Sequence, residues 1–257
     1  MGPVDAAACF GRHATSKLRS FEDLERLRTL GFRGEALASI ASVAQVELKT
    51  KRRQDAAATC VRVDGGDLVE QGPCAGPDGT CVSVRNLFFN VPARRAFLRS
   101  PATEFKHLVE AFQALALSHP DVGFVLVHDD TEVWRLAPTR GEDPLVRRLS
   151  DLVGDDLRDV LVPVEETTSY LSVRGVVAGP QRSRRSRGDQ YLFVNDRYVK
   201  SRQIDHAVAQ AFGGLLPERQ HPLFALFLTV DPRHVDVNVH PTKTEVKFDD
   251  DRGVYSF

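Results

Sequence analysis

Residues 31–40 read GFRGEALASI, two glycines three apart with Phe32 and Arg33 between them, then Glu35, Ala36 and further helix formers. Gly31 and Gly34 tolerate positive φ and close backbone approach, and EALASIAS has the propensity to begin a helix at or near Gly34. The open N–H groups and positive dipole end of such a turn suit an anion, a phosphate above all. The same residues also suit a helix that stops at Gly31, followed by a tight turn. In GRHATSKL, residues 11–18, Thr15 and Ser16 bring hydroxyls and N–H groups, and Lys17 adds charge at a helix end. A plain Thr-Ser helix stop is the alternative there. In DVNVHPTKTEVKF, Val235, Val237 and Val239 take one strand face and Asp236, Asn238 and His240 the other. Pro241 ends that strand, and Lys243 stands on the loop between two strands, either reaching a terminal phosphate on its flexible stem or simply solvated. His234 and His240 share a face but stand about 20 Å apart by strand rise, too far to chelate one metal.

A fourth group is cationic. Residues 171–202 hold eight Lys or Arg (Arg174, Arg182, Arg184, Arg185, Arg187, Arg197, Lys200, Arg202) against Asp189 and Asp196, a net +6. Residues 142–166 hold eight acids against three arginines, a net −5, so the overall −1 is a cancellation of opposed patches. RSRRSRG forms a basic loop between two strands, and Arg197, Lys200 and Arg202 lie in the loop entering SRQIDHAVAQ, where Ser201 is placed to cap the helix. Arginines and N–H groups together grip phosphates without reading bases, although a charge run is also the usual make-up of a solvated face.

These groups must be positioned by ordered elements. The first 42 residues read as helices broken by loops: PVDAAACFGRHA with proline in its first turn, FEDLERLRTL with a capping-box-like Ser20 and Asp23, then the GFRGEALASI helix. VAQVELKTK, ATCVRVDGG and TCVSVRNLF alternate with period 2 and read as antiparallel strands. ATEFKHLVEAFQALALSHP reads as a helix with Phe105, Leu108, Val109, Phe112 and Leu115 on one face, followed by the hairpin VGFVLVHDDTEVWRLA. Acidic, glycine-interrupted stretches around LVRRLS place a domain boundary near residue 140. Beyond it come strands LSVRGVVAG and DQYLFVNDRYV, the helix SRQIDHAVAQAFGGLL, strands PLFALFLTV and HVDVNVHP, and a helix starting in DDRGVYSF. This is an α/β (α+β) chain of two domains, 1–140 and 141–257.

At 257 residues, 42% hydrophobic and 27% charged, the composition is that of a globular protein with real cores. No run of about 18 apolar residues suggests a membrane span, and MGPVDAAACF is no secretory signal, which leaves the cytosol as the default compartment. Cys9, Cys60, Cys74 and Cys81 lack zinc-ligand spacing and read as spectator thiols.

RHATSK (12–17), LGFRGEALASI (30–40), GTCVSVRNLFFNVPARRAFL (79–98) and VDVNVHPTKTEVKF (235–248), in this order, resemble the N-terminal half of the MutL family of DNA mismatch-repair proteins. FVNDRYVKSRQIDHAV fits as well, so the resemblance covers essentially the whole chain. It implies a GHKL-type ATPase domain, an α/β sandwich, here partial, followed by a smaller domain with a ribosomal protein S5 domain 2-like fold. ATP binding would order lid loops and dimerise the N-terminal halves around DNA. Thr15, Ser16 and Lys17 then resemble phosphate-side lid contacts, and Gly31, Phe32, Arg33, Gly34, Glu35 and Ala36 the loop and helix start that wrap the triphosphate. Thr80 matches the threonine of a GT element near the base, Lys243 the sensor of the terminal phosphate, and Arg202 a DNA-contacting arginine. The implied partners are DNA, a second copy, a mismatch-recognition protein of the MutS type and a downstream nuclease or helicase, in the bacterial cytosol or nucleoid.

Two family motifs do not occur in this sequence, a helix of the type ELVENSLDAGA and a loop of the type DNGxGM. In the family they supply the water-activating glutamate, the asparagine that holds Mg²⁺ and the aspartate that recognises adenine. Met1-Gly2 resembles the end of the second, so the sequence is expected to start just after it, with apolar surface exposed and no catalytic residue or metal ligand of its own. A hydrolysis-deficient ATP-binding switch is the leading expectation. A non-catalytic DNA-binding and dimerisation module is a second, and another GHKL ATPase, such as a topoisomerase subunit, a third.

Overall fold

The computed structural model describes residues 1–17, 34–154, 157–236 and 245–257. The expected helix FEDLERLRTL, Gly31, Phe32, Arg33, and Lys243 with residues 237–244 around it lie outside the described residues. The chain splits into two compact units, Met1–Glu104 and Phe105–Phe257.

In the first unit, Pro3 opens α1 (Pro3–Ala8), and α2 spans Ala36–Ala41. Thr15, Ser16 and Lys17 follow α1 at a distance, in irregular chain, so Lys17 does not sit at its end as expected. Four strands, β1 (Gln45–Lys51), β2 (Ala58–Asp64), β3 (Asp67–Cys74) and β4 (Gly79–Arg85), form an antiparallel sheet in the order β3-β2-β1-β4. The alternation of β1 does what its sequence implies: Val46, Leu48 and Thr50 are buried, while Gln45, Glu47 and Lys49 face the other way. Ala6, Ala41 and Ala44 bring helix and loop backbone close over Val46, Leu48, Val61 and Val63. Val82 and Val84 pair in register with Leu48 and Val46, on the same face, yet are 42% and 45% exposed. After β4, the Phe88 N–H donates to the Val43 carbonyl (2.6 Å) and the Asn90 amide to that of Ser42 (2.9 Å), folding the NLFFN segment back before α3 (Pro92–Ala96).

The second unit takes up α4 (Pro101–Ser118) from Phe105 onward and the hairpin β5 (Phe124–His128) and β6 (Thr131–Leu136), turned by Asp129 and Asp130 at φ of 46° and 62°. The apolar stripe expected on α4 is only partly its buried face, with Phe105, Val109 and Phe112 half-buried. Leu108 and Leu115 are exposed, while Ala114, Ala116 and Leu117 are buried and Phe112 packs beside them. Small alanines allow a closer approach to a sheet than leucines do, and that proximity selects the face.

The sheet beneath is built from β7 (Leu161–Thr167), β8 (Leu171–Ala178), β9 (Gln190–Val194), β10 (Arg197–Val199) and β11 (Phe224–Val230), in the order β10-β9-β11-β8-β7 with β9 and β11 parallel. YLFV and FALFLTV read as near-continuous apolar runs because both faces of these strands are covered. On one face lie α4 and α5 (Pro144–Val153), with Leu117, Leu149 and Leu152 against Tyr191, Phe193 and Phe227. On the other, Ile204 of α6 (Arg202–Ala211) and Val254 of α7 (Asp251–Ser256) meet Leu192, Leu226 and Leu228. Ser201 caps α6 as its position suggests, accepting from the Ile204 N–H at 3.2 Å. Val235–Asp236 (β12) pairs with Lys247–Phe248 (β13). His234 does not share a strand face with the residues after it; it closes the 3₁₀ turn Pro232–His234, which Asp231 caps.

Arg148 of α5 is fully buried. Its Nη2 donates to the carbonyls of Pro120 (2.7 Å), Val122 (2.8 Å) and Ala137 (2.9 Å), and the guanidinium lies 5.7 Å from the Phe124 ring centre. Burial pulls its pKa down, and Asp151 and Asp121 push the other way. The Thr139 N–H and hydroxyl also reach the Pro120 carbonyl, each at 2.7 Å. The β5-β6 hairpin is thereby tied to α5, and residues 105–140 belong to the second compact unit, whereas composition places a domain boundary near 140.

Candidate functional site

Two of the three phosphate-friendly stretches meet in the first unit. Gly34 has φ of 63°, and a Cβ there would sit 2.1 Å from the Ala14 carbonyl oxygen and 2.9 Å from the Thr15 nitrogen. Only glycine permits that approach of the 34–36 turn to the 14–15 backbone. The contact sets Glu35 near His13, whose Nδ1 is 3.3 Å from its Oε1. Thr15 Oγ1 accepts from the Lys17 N–H at 3.1 Å, bending the loop so that Thr15 is half-buried and Ser16 and Lys17 are exposed. Glu35 precedes the first turn of α2, with Ala36 its first residue, close to the expected helix start. A cavity of about 250 Å³ lies against these elements, lined by Arg12, His13, Glu35, Ala38, Ser39 and Ser42. Thr80, on the exposed edge strand β4, shares a 2.8 Å hydroxyl contact with buried Thr50 across the β1-β4 register.

The cations collect at one end of the second unit's sheet. Arg182 ends the 3₁₀ turn Pro180–Arg182 after β8, and Arg184 pairs by backbone with His221, just before β11. β9 starts at Gln190, and antiparallel β10 returns to the same end, because Val199 pairs with Leu192. Lys200 and Arg202 therefore stand beside the Arg182–Arg187 loop. The surroundings of Asp205 agree: burial raises its pKa, and Arg187 and His221 oppose that rise. Arg197 begins β10 at the opposite end of the strand, opposite Val194. Some cations of this set already have acids, among them Arg174 with Asp196 at 4.0 Å, Arg184 with Asp189 at 3.1 Å and Lys200 with Glu110 at 2.5 Å.

A family profile described as "DNA mismatch repair protein, C-terminal domain" matches residues 149–257. The DNA mismatch repair protein MutL of Christiangramia forsetii is 46% identical over 256 residues, 100% of this chain and 41% of that protein. That of Chloroherpeton thalassium is 46% identical over 252 residues, 98% of this chain and 39% of its own length. The chain belongs to the MutL family. It spans about two fifths of the length of these curated MutL relatives. Among solved structures, the Aquifex aeolicus MutL ATPase domain complexed with ADP aligns with TM-score 0.63 and 25% identity, over 83% of this chain and 76% of that one. The N-terminal domain of a DNA repair protein, at 22% identity, has the same fold with TM-score 0.78 over 99% of this chain and 78% of its own. The mixed α/β, GHKL-type fold expected of a MutL is thus the fold found.

Residue types alone did not single out Arg12, His13, Ser39 and Ser42 as the residues that line the cavity with Glu35 and Ala38. Ser39 and Ser42 had a signal, since three-residue spacing on a helix puts both on one face. Arg12 and His13 carry no signal of their own beyond their place in RHATSK. Among the described residues no group of three or more His, Cys, Asp or Glu side chains is placed to hold a metal ion. No described helix is long and apolar enough to cross a membrane.

Proposed function

We propose that residues 1–257 are the phosphate-lid and polyanion-binding part of an ATP-operated mismatch-repair switch, in which ATP binding pairs two copies around DNA and relays a MutS-type signal to a nuclease or helicase. The observation that carries this reading is the seating of Gly34 on the Ala14 carbonyl, which unites two phosphate-friendly loops beside one cavity. Thr15, Ser16, Lys17 and the Gly31–Ala36 turn hold the phosphates with N–H and hydroxyl donors and one ammonium. Thr80 stands toward the base, and Lys243 comes from the 141–257 domain to neutralise the terminal phosphate. ATP brings its own leaving group, but phosphoryl transfer to water also needs a positioned base and a metal. Residues 1–257 carry neither the ENSLDAGA-type helix nor the DNGxG loop, so this polypeptide holds the nucleotide without turning it over.

The test is ligand competition with a turnover assay. ATP binding to residues 1–257 should be displaced by inorganic tripolyphosphate and not by adenosine, with no phosphate release above background. Displacement by adenosine alone would place the ligand elsewhere, and turnover in a preparation free of other ATPases would require a base on this chain.

The cationic end of the second sheet supports the DNA part of the reading, and also a plainer one in which the chain is a DNA platform indifferent to nucleotide. Arg202→Glu is expected to weaken binding to a 30-base-pair duplex and to flatten the plot of log K against log salt by about one unit or more. Arg202 stands exposed at the first turn of α6. An unchanged slope would remove Arg202 from the interface, and binding equal with and without ATP favours the platform.

A further inference from the structure

Lys200 lies among the cations of the DNA-facing end, yet its charge is already taken. Its Nζ is 2.5 Å from Oε1 of Glu110, and the Tyr198 hydroxyl donates to the same oxygen at 2.9 Å. Glu110 projects from α4, about 90 residues away in sequence, onto β10 and the residue that follows it. Burial alone would push the Glu110 carboxyl up, but the bonds from Lys200 and Tyr198, the Lys200 charge and nearby His107 hold it below the usual carboxylate range. Burial and the Glu110 carboxylate together push the Tyr198 hydroxyl well up, so it stays a donor. The carboxylate is therefore charged and fixed at neutral pH, while Lys200 keeps a half-exposed side chain that bulk phosphate can reach.

We propose that Glu110 is a brake on polyanion binding: it withholds Lys200 from the DNA-facing cluster, and a duplex phosphate gains that cation only by displacing the carboxylate. The proposal rests on the DNA-binding reading above and adds a residue to it. Each phosphate neutralised by a protein cation releases condensed counterions, so a lysine already neutralised inside the protein contributes little to the salt slope. Arg185, Arg187 and Arg202 carry the binding while the brake is on. Phosphate binding at Lys200 and the Lys200–Glu110 ion pair therefore exclude one another, while the Tyr198 bond can keep Glu110 on β10.

The experiment measures anisotropy of a labelled 30-base-pair duplex with the full chain across a salt series. Glu110→Gln keeps the shape and the Tyr198 partner but loses the charge; it should bind about 3- to 10-fold more tightly at low salt, with a slope steeper by about one. Lys200→Ala should leave the parent slope nearly unchanged and cancel the gain when combined with Glu110→Gln. Tyr198→Phe, which spares the ion pair, should leave the slope alone and reports any purely structural effect of loosening α4. An unchanged slope in Glu110→Gln, or a slope lost in Lys200→Ala on the parent background, overturns the proposal while leaving DNA binding intact. No duplex binding by the parent and Glu110→Gln alike overturns this proposal and the DNA reading together.

Discussion

Arg148→Ala is expected to destabilise the second unit by about 2–5 kcal/mol, the range for truncating a large buried side chain and stranding the acceptors it bonded. Three carbonyls, of Pro120, Val122 and Ala137, converge on one nitrogen of this fully buried guanidinium. Alanine would take this donor from the Val122 and Ala137 carbonyls, while Pro120 keeps the two bonds from Thr139, and it would open a cavity the length of the side chain; each unsatisfied buried acceptor costs about 1–3 kcal/mol. Arg148→Met separates the two contributions, because it refills much of the volume and restores no donor. It should recover the cavity part alone, with the remainder belonging to the carbonyls. Urea unfolding followed by a second-unit probe such as Trp134 fluorescence reads the loss as a lower midpoint at unchanged slope. A midpoint shift worth less than about 1 kcal/mol for alanine would mean that the carbonyls find other donors.

Gly34→Ala is expected to abolish nucleotide binding, a loss of about 100-fold or more by analogy with backbone-strain and overpacking costs of about 1–3 kcal/mol each. The added Cβ would meet the Ala14 carbonyl oxygen at 2.1 Å in a left-handed backbone that alanine rarely adopts. The two loops must then part, and Arg12 and His13 of one no longer share a cavity with Glu35 of the other. The second unit has no stake in this contact, so duplex binding in the absence of nucleotide should be unchanged, which separates a local effect from global unfolding. ATP affinity within 2-fold of the parent would show that the loops need not touch.

Local chemistry made most elements legible, and the strands it failed to reveal share a physical cause. Both β3 and β7 are edge strands, and each carries a proline, Pro73 and Pro163. Edges tolerate proline and polar residues because part of their backbone pairs with nothing, and those residues also discourage strand addition. The period-2 signal is therefore weakest where the sheet ends. The meeting of the Gly34 turn with the Ala14–Thr15 backbone was foreshadowed by residue types and spacing close in sequence. The roles of Arg148 and Glu110 were not, since one sits in an ordinary charged run and the other finds its partner across a distance no local pattern encodes. Burial decides both, and a sequence read without its fold carries no burial.

Among the described residues β4 has no strand on its outer side, and that open edge has a kinetic consequence. Its outer row of N–H and C=O groups, beside uncovered Val82 and Val84, is a template for any other strand. For residues 1–257 in isolation, the useful lifetime in solution is then governed by encounters between molecules. Dilution and a low temperature protect it more than a deeper free-energy well would.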